Sequence, residues 1–167
     1  GYWRDIDYRD KNPSGWAPSF HVMRLFHLAK AYQSQQMSTY HSDKVLAAYI
    51  RGLRFWVSFT LTCPNWWYTE IGVNKMLGPA LLLMENLLPE DLKIQGVEQL
   101  NRSKIGMSGQ NRVWLEGNVV YRALLQNDEI LLKEARYVIL SEIYITTKEG
   151  LQPDYSYHQH GPQLQFG

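Results

Sequence analysis

The chain has 167 residues, 45% of them apolar and 20% charged, with a net charge of +1. That is enough for one domain, or a large piece of one, with a core that needs no cross-links, and it excludes a disordered tail or a fibre. The near-balanced charge offers no basic run for a nucleic acid, and no apolar run reaches the roughly 20 residues of a membrane span. The single Cys63 excludes an intrachain disulfide and a multi-cysteine zinc site.

Residues 1–18 are polar and turn-rich, and predict an extended lead-in. From Ser19 the apolar period becomes helical: Val22, Leu25, Phe26, Ala29 and Tyr32 share one face of a helix ending near Gln36. A polar connector reaches Ser42 or Asp43, either of which suits a helix cap. Val45, Tyr49, Leu53 and Trp56 form the stripe of the second helix. Residues 60–64 break it, and a third helical stretch runs from about Trp67 to Leu87, with a kink or split expected at Gly78-Pro79. Pro89-Glu90-Asp91 opens a fourth helix carrying Leu92, Ile94, Val97 and Leu100. A fifth begins near Gln110, with Val113, Trp114, Val120 and Leu124. The sixth spans 128–145, with Leu131, Ala135, Val138 and Ser141 on one face and Leu132, Ile139 and Ile143 beside it. Residues 146–167 read as loop, and no strand is expected. Six helices with short connections predict an all-α fold of three antiparallel αα-hairpins, too few to close a toroid.

Six Trp and eleven Tyr are many for this length. Flat aromatic faces stack on sugar rings as well as on each other, so a carbohydrate ligand and a crowded helix interface are both open readings. Three segments stand out. In Asn65-Trp66-Trp67-Tyr68-Thr69-Glu70 two adjacent indoles cannot face one core stripe, so at least one is expected to be partly exposed. Ser108-Gly109-Gln110-Asn111-Arg112 lies where a loop becomes a helix. Free N–H groups, an amide and a permanent charge there suit a carboxylate or sulfate, unless Ser108 and Asn111 merely cap the helix. Tyr155-Ser156-Tyr157-His158-Gln159-His160 carries two histidines, but no third ligand accompanies them. His160 is either an acid–base group or a hydrogen-bonded loop residue.

These segments, in this order, resemble the polysaccharide lyases of the chondroitin AC, hyaluronate and xanthan lyase family. The residues that carry the resemblance are Asn65-Trp66-Trp67 with Glu70-Ile71-Gly72, then Gly109-Gln110-Asn111-Arg112, then Asp154-Tyr155-Ser156-Tyr157 with Gln159-His160-Gly161-Pro162-Gln163-Leu164. The closing segment looks most like chondroitin AC lyases. Gln110 stands where a small residue is usual in that family.

The resemblance implies an incomplete α/α toroid followed by β-sandwich domains, of which residues 1–167 are one piece: lead-in 1–18, hairpins 19–146 and an active-site loop 147–167. It implies β-elimination on an acidic polysaccharide such as chondroitin sulfate or hyaluronan, with no cofactor or metal, and a secreted or periplasmic address. Gly1-Tyr2-Trp3 reads as the start of a mature chain or an excised piece, with no signal peptide. By resemblance Asn111 and His160 are catalytic, while Asn65, Trp66, Trp67 and Arg112 bind substrate. The family's proton-transfer tyrosine, nine residues after the histidine, would fall two positions past Gly167, so these residues alone are expected to turn over little. The competing enzyme class is an α/α-toroid hydrolase drawing two carboxylates from Glu70, Glu116 and Asp154. A third reading is a non-catalytic helical domain that binds acidic sugars.

Overall fold

The computed structural model describes residues 1–158. Six α-helices follow one another: α1 Ser19–Gln33, α2 Asp43–Val57, α3 Asn74–Met84, α4 Glu90–Leu100, α5 Gly109–Gln126 and α6 Glu129–Ser141. Each carries an apolar stripe that must be covered, and consecutive pairs cover each other as the hairpins α1–α2, α3–α4 and α5–α6. The odd-numbered helices also pack in a row, α1 on α3 and α3 on α5, while α2 rests on α4. The mostly helical prediction therefore holds, with two rows of helices around one core. Leu25, Leu53, Leu77, Leu81, Leu92 and Leu100 are completely buried there, each contributing about 2 kcal/mol of burial.

Several boundaries differ from the sequence reading. Helix α1 stops at Gln33, and although Ser42 takes the N-cap position of α2, its side chain caps nothing. The cap that does form is Asp128 at α6, whose carboxylate accepts the N–H groups of Ile130 (3.1 Å) and Leu131 (2.9 Å). Pro79 neither splits nor ends α3; the irregularity lies two to three turns earlier, where Tyr68–Gly72 winds as a π-helix. A small antiparallel pair, β1 Gly150–Leu151 and β2 Tyr157–His158, stands where loop was expected.

The first 18 residues are not an extended lead-in. Asp10 folds them into turns by accepting the N–H groups of Asn12 (2.8 Å) and Ala17 (2.7 Å), and the Trp16 indole donates to the Asp10 carbonyl at 3.0 Å. Trp16 is thereby carried into the core beside Trp56. Arg24 of α1 grips Asp5 through both carboxylate oxygens, which holds that carboxyl down to about 2.

His21 fastens this segment to the first hairpin. Its Nε2 lies 2.9 Å from the Gly52 carbonyl, which can only accept, so Nε2 carries the proton. Nδ1 then accepts from the Tyr8 hydroxyl at 2.8 Å, and that hydroxyl accepts the Trp3 N–H at 3.1 Å. The ring stacks on Phe55 and Trp56 with Trp3 edge-on, and burial lowers its pKa to about 4.

Candidate functional site

The π-turn sets the direction of the first aromatic segment. Its hydrogen bond runs from the Val73 N–H to the Tyr68 carbonyl, five residues back, at 3.0 Å. Asn65 opens this stretch: its Oδ1 accepts the Trp67 N–H at 3.1 Å, and its Nδ2 donates to the Pro13 carbonyl at 3.0 Å. The Asn65 amide thus ties the indole pair to the folded N-terminal loop.

Trp66 is 41% exposed and Trp67 half-buried, so the expectation of at least one accessible indole is met. Trp67 meets Tyr68 at 5.5 Å between ring centroids and Trp114 of α5 at 5.9 Å, both edge-on. The Lys75 ammonium lies 4.0 Å from the centre of the Trp114 ring. A side chain at Gly72 would collide with the Trp67 indole, so the turn needs glycine for that close approach.

Trp114 links the first segment to the second. Asn111 precedes it by three residues, so the two share a face of α5 one turn apart. Asn111 is half-buried, and its side chain makes no hydrogen bond to another described residue. Ser108 occupies the N-cap position, yet its side chain caps nothing, so neither residue acts as the cap.

A carboxylate does occupy this helix start, and it is the chain's own. Glu142, just past the end of α6, accepts the Gly109 N–H on Oε2 at 2.9 Å and pairs through Oε1 with Arg112 Nη1 at 2.7 Å. Arg112, expected to meet the ligand, is therefore already engaged; its Nε is buried without a partner. Sequence reasoning missed Glu142. The available signal was an acid at the end of a helix, where the macrodipole disfavours it.

A buried polar seam joins the π-turn to α5. Ser103 donates to the Glu70 carbonyl and accepts from Asn74 Nδ2 (2.8 Å) and Asn118 Nδ2 (3.0 Å). Asn118 also donates to the Ile71 carbonyl at 3.1 Å. All three side chains are fully buried. Together they tie the π-turn to α5.

The inward face of α5 follows from this seam. Leu115, Val119 and Ala123 are buried with Asn118 and Glu116, whereas Val113, Trp114, Val120 and Leu124, the expected stripe, lie to the side. Neither Glu116 oxygen has a hydrogen-bond partner among the described residues, and burial raises its pKa against the opposing pull of Arg112.

The third segment begins at the β1–β2 hairpin. Asp154 accepts the Ser156 N–H (3.0 Å) and hydroxyl (2.7 Å), which lowers its pKa. Burial raises the pKa of Tyr157, and the Glu142 charge raises it further. His160 lies outside the described residues.

The structure thus sets Trp67 against Trp114, one turn from Asn111 on α5, with Trp66 exposed next to it in the chain. The carboxylates of the competing hydrolase reading fare differently: Glu116 is sealed from any substrate, and Asp154 is held in its own turn. Among the described residues no three His, Cys, Asp or Glu side chains gather as a metal site.

Residues 1–167 match the family described as polysaccharide lyase family 8, N terminal alpha-helical domain. Chondroitinase-AC of Pedobacter heparinus is 34% identical over 171 residues, covering 99% of this chain and 24% of that protein. A chondroitinase AC lyase solved with oligosaccharides superposes with a TM-score of 0.86 at 33% identity, over 97% of this chain and 25% of that one. Paenibacillus xanthan lyase gives a TM-score of 0.84 at 21% identity, over 95% of this chain and 16% of the other, a likeness of fold alone. The chain spans about a quarter of the length of the curated relative it matches. It belongs to polysaccharide lyase family 8, and it matches the family's N-terminal α-helical domain.

Proposed function

We propose that this family 8 chain forms the substrate-cradling wall of a lyase that cleaves uronate-containing glycosaminoglycans, of the chondroitin or hyaluronan type, by β-elimination. The observation that carries the reading is the placement of the Asn111 amide, which bonds to no other described residue, one turn from Trp114, whose ring meets the Trp67 of the indole pair. Trp66 and Trp67 offer faces for sugar rings, and Asn111 offers N–H donors at the positive end of α5.

The chemistry requires such donors. Removing the C5 proton of a uronate sends charge onto a carboxylate that is already anionic. Hydrogen bonds aimed at that group lower the barrier. An amide supplies them without titrating near neutrality. His160 acts in the same region, and a tyrosine contributed by the wider lyase abstracts the C5 proton and protonates the leaving oxygen. The C4–O bond breaks as the C4–C5 double bond forms, and no water is consumed. The rows of hairpins then form part of an incomplete α/α toroid, completed by further helices and β-sandwich domains, in a secreted or periplasmic enzyme without a cofactor.

The test is a full-length lyase carrying these residues, incubated with chondroitin or hyaluronan while ultraviolet absorbance follows unsaturated ends. Asn111→Ala should lower kcat by about 10²–10³, the usual cost of one donor to a developing anion. Saturated ends, or an Asn111→Ala enzyme with ordinary kcat, would defeat the reading. The 167-residue chain by itself should bind acidic oligosaccharides yet release few unsaturated products.

A further inference from the structure

We propose that Glu142 is a positioning residue for this elimination: its carboxylate locks the first turn of α5 so that the Asn111 amide faces the uronate. The proposal rests on the lyase reading given above and deepens it.

The geometry singles out Glu142. Its two oxygens take separate partners, the Gly109 N–H at 2.9 Å and Arg112 Nη1 at 2.7 Å. Those partners lie on either side of Asn111 in the chain, so the clamp holds the backbone before that residue and the side chain that follows it. Ser108 gives no side-chain cap, Gly109 turns into the helix through a left-handed φ of +60°, and Asn111 itself is unbonded among the described residues. The Glu142 side chain is only 11% exposed, so water cannot readily take its place.

Electrostatics points the same way. Glu142 is the C-cap residue of α6, where a carboxylate meets that helix's negative end. The same group sits at the positive end of α5. Its place is unfavourable for the helix that carries it and favourable for the helix that carries Asn111. A consequence follows for Arg112. With its charge answered by Glu142, the guanidinium does not compete for the substrate carboxylate, which meets the neutral amide instead.

The test compares Glu142→Ala and Glu142→Gln in a full-length lyase carrying this chain. Glu142→Ala should lower kcat about tenfold or more while KM moves less than about threefold, as expected when a reacting group is misaimed with its binding contacts intact. Glu142→Gln should recover part of the loss, because its amide oxygen still accepts the Gly109 N–H. Hydrogen exchange in a peptide covering 106–114 should quicken in Glu142→Ala while the rest of the enzyme exchanges as before. A raised KM with unchanged kcat would overturn the proposal and return Arg112 to direct substrate binding. Wild-type kcat in Glu142→Ala would overturn it as well. If Glu142→Ala does not fold, Glu142→Gln decides: a kcat about threefold lower at constant KM supports positioning, and wild-type kcat refutes it. A wild-type enzyme that yields no unsaturated product defeats the lyase reading itself and this proposal with it, an outcome distinct from variants that match an active parent.

Discussion

His21 on α1 and Glu116 on α5 are both fully buried titratable groups, and they are treated in opposite ways. The imidazole has a partner on each nitrogen and aromatic rings around it. The carboxyl has a partner on neither oxygen among the described residues. The first hairpin is not free of such costs, since the Tyr49 hydroxyl and the Trp56 N–H are also buried and unpaired. Those are neutral groups, however, and each belongs to a large ring whose burial more than offsets it. Around α5 and α6 the balance is poorer. Only Ala135 of α6 is buried, and Tyr137 remains 74% exposed. The contrast separates a region that holds the molecule together from one that holds Asn111, where fewer apolar contacts accompany more electrostatic constraint.

The largest test of that contrast is truncation. Trp16→Ala should cost about 3–5 kcal/mol in urea unfolding, the range for emptying a filled aromatic site. Tyr137→Ala should cost less than about 0.5 kcal/mol, as ordinary surface changes do. Equal losses would erase the distinction.

Acidification probes the histidine. Its folded pKa lies near 4, below its ordinary 6.5, so the unfolded chain binds the proton first. Stability from His21 is complete above about pH 6.5 and declines as the pH falls toward 4, by about 3 kcal/mol over that window. Measuring unfolding free energy against pH checks this; His21→Phe should flatten that part of the curve, and an unchanged slope would remove His21 as its source.

Glu116 should behave with the opposite sign. Its folded pKa is raised above 4.5, so the unfolded chain releases the proton first and stability drains as the pH rises from about 4.5 through the folded value. Glu116→Gln removes that drain and should be neutral or stabilising by about 1 kcal/mol at pH 7. Destabilisation would show that the carboxyl has a favourable partner, and the comparison with His21 would fail.

How much was legible in the sequence divides along similar lines. Stripes packed wholly by apolar contact were read correctly: Val22, Leu25, Ala29 and Tyr32 on α1, and Tyr49, Leu53 and Trp56 on α2, are buried. The face of α5 was misjudged because its inward side is marked by Asn118 and Glu116, which apolar periodicity counts as outward. Ile94 was taken for core on α4 and is exposed. In the candidate site, the partial exposure of an indole followed from helix geometry. The clamp by Glu142 did not, because it joins residues 33 apart through one carboxylate. The folding of residues 1–18 was equally hidden, since Asp10 and His21 work through hydrogen bonds that leave no period in the sequence.

The turn at 68–72 holds one more residue than an ordinary helical pitch would use. Deleting a single amino acid there would restore regular winding and leave Trp66 and Trp67 close to their present angle around the axis, because the wider turn already absorbs the extra residue. Only a further length change, one that no widened turn takes up, would be a steering change: a second residue lost from this stretch should rotate both indoles by about 100° without altering either of them.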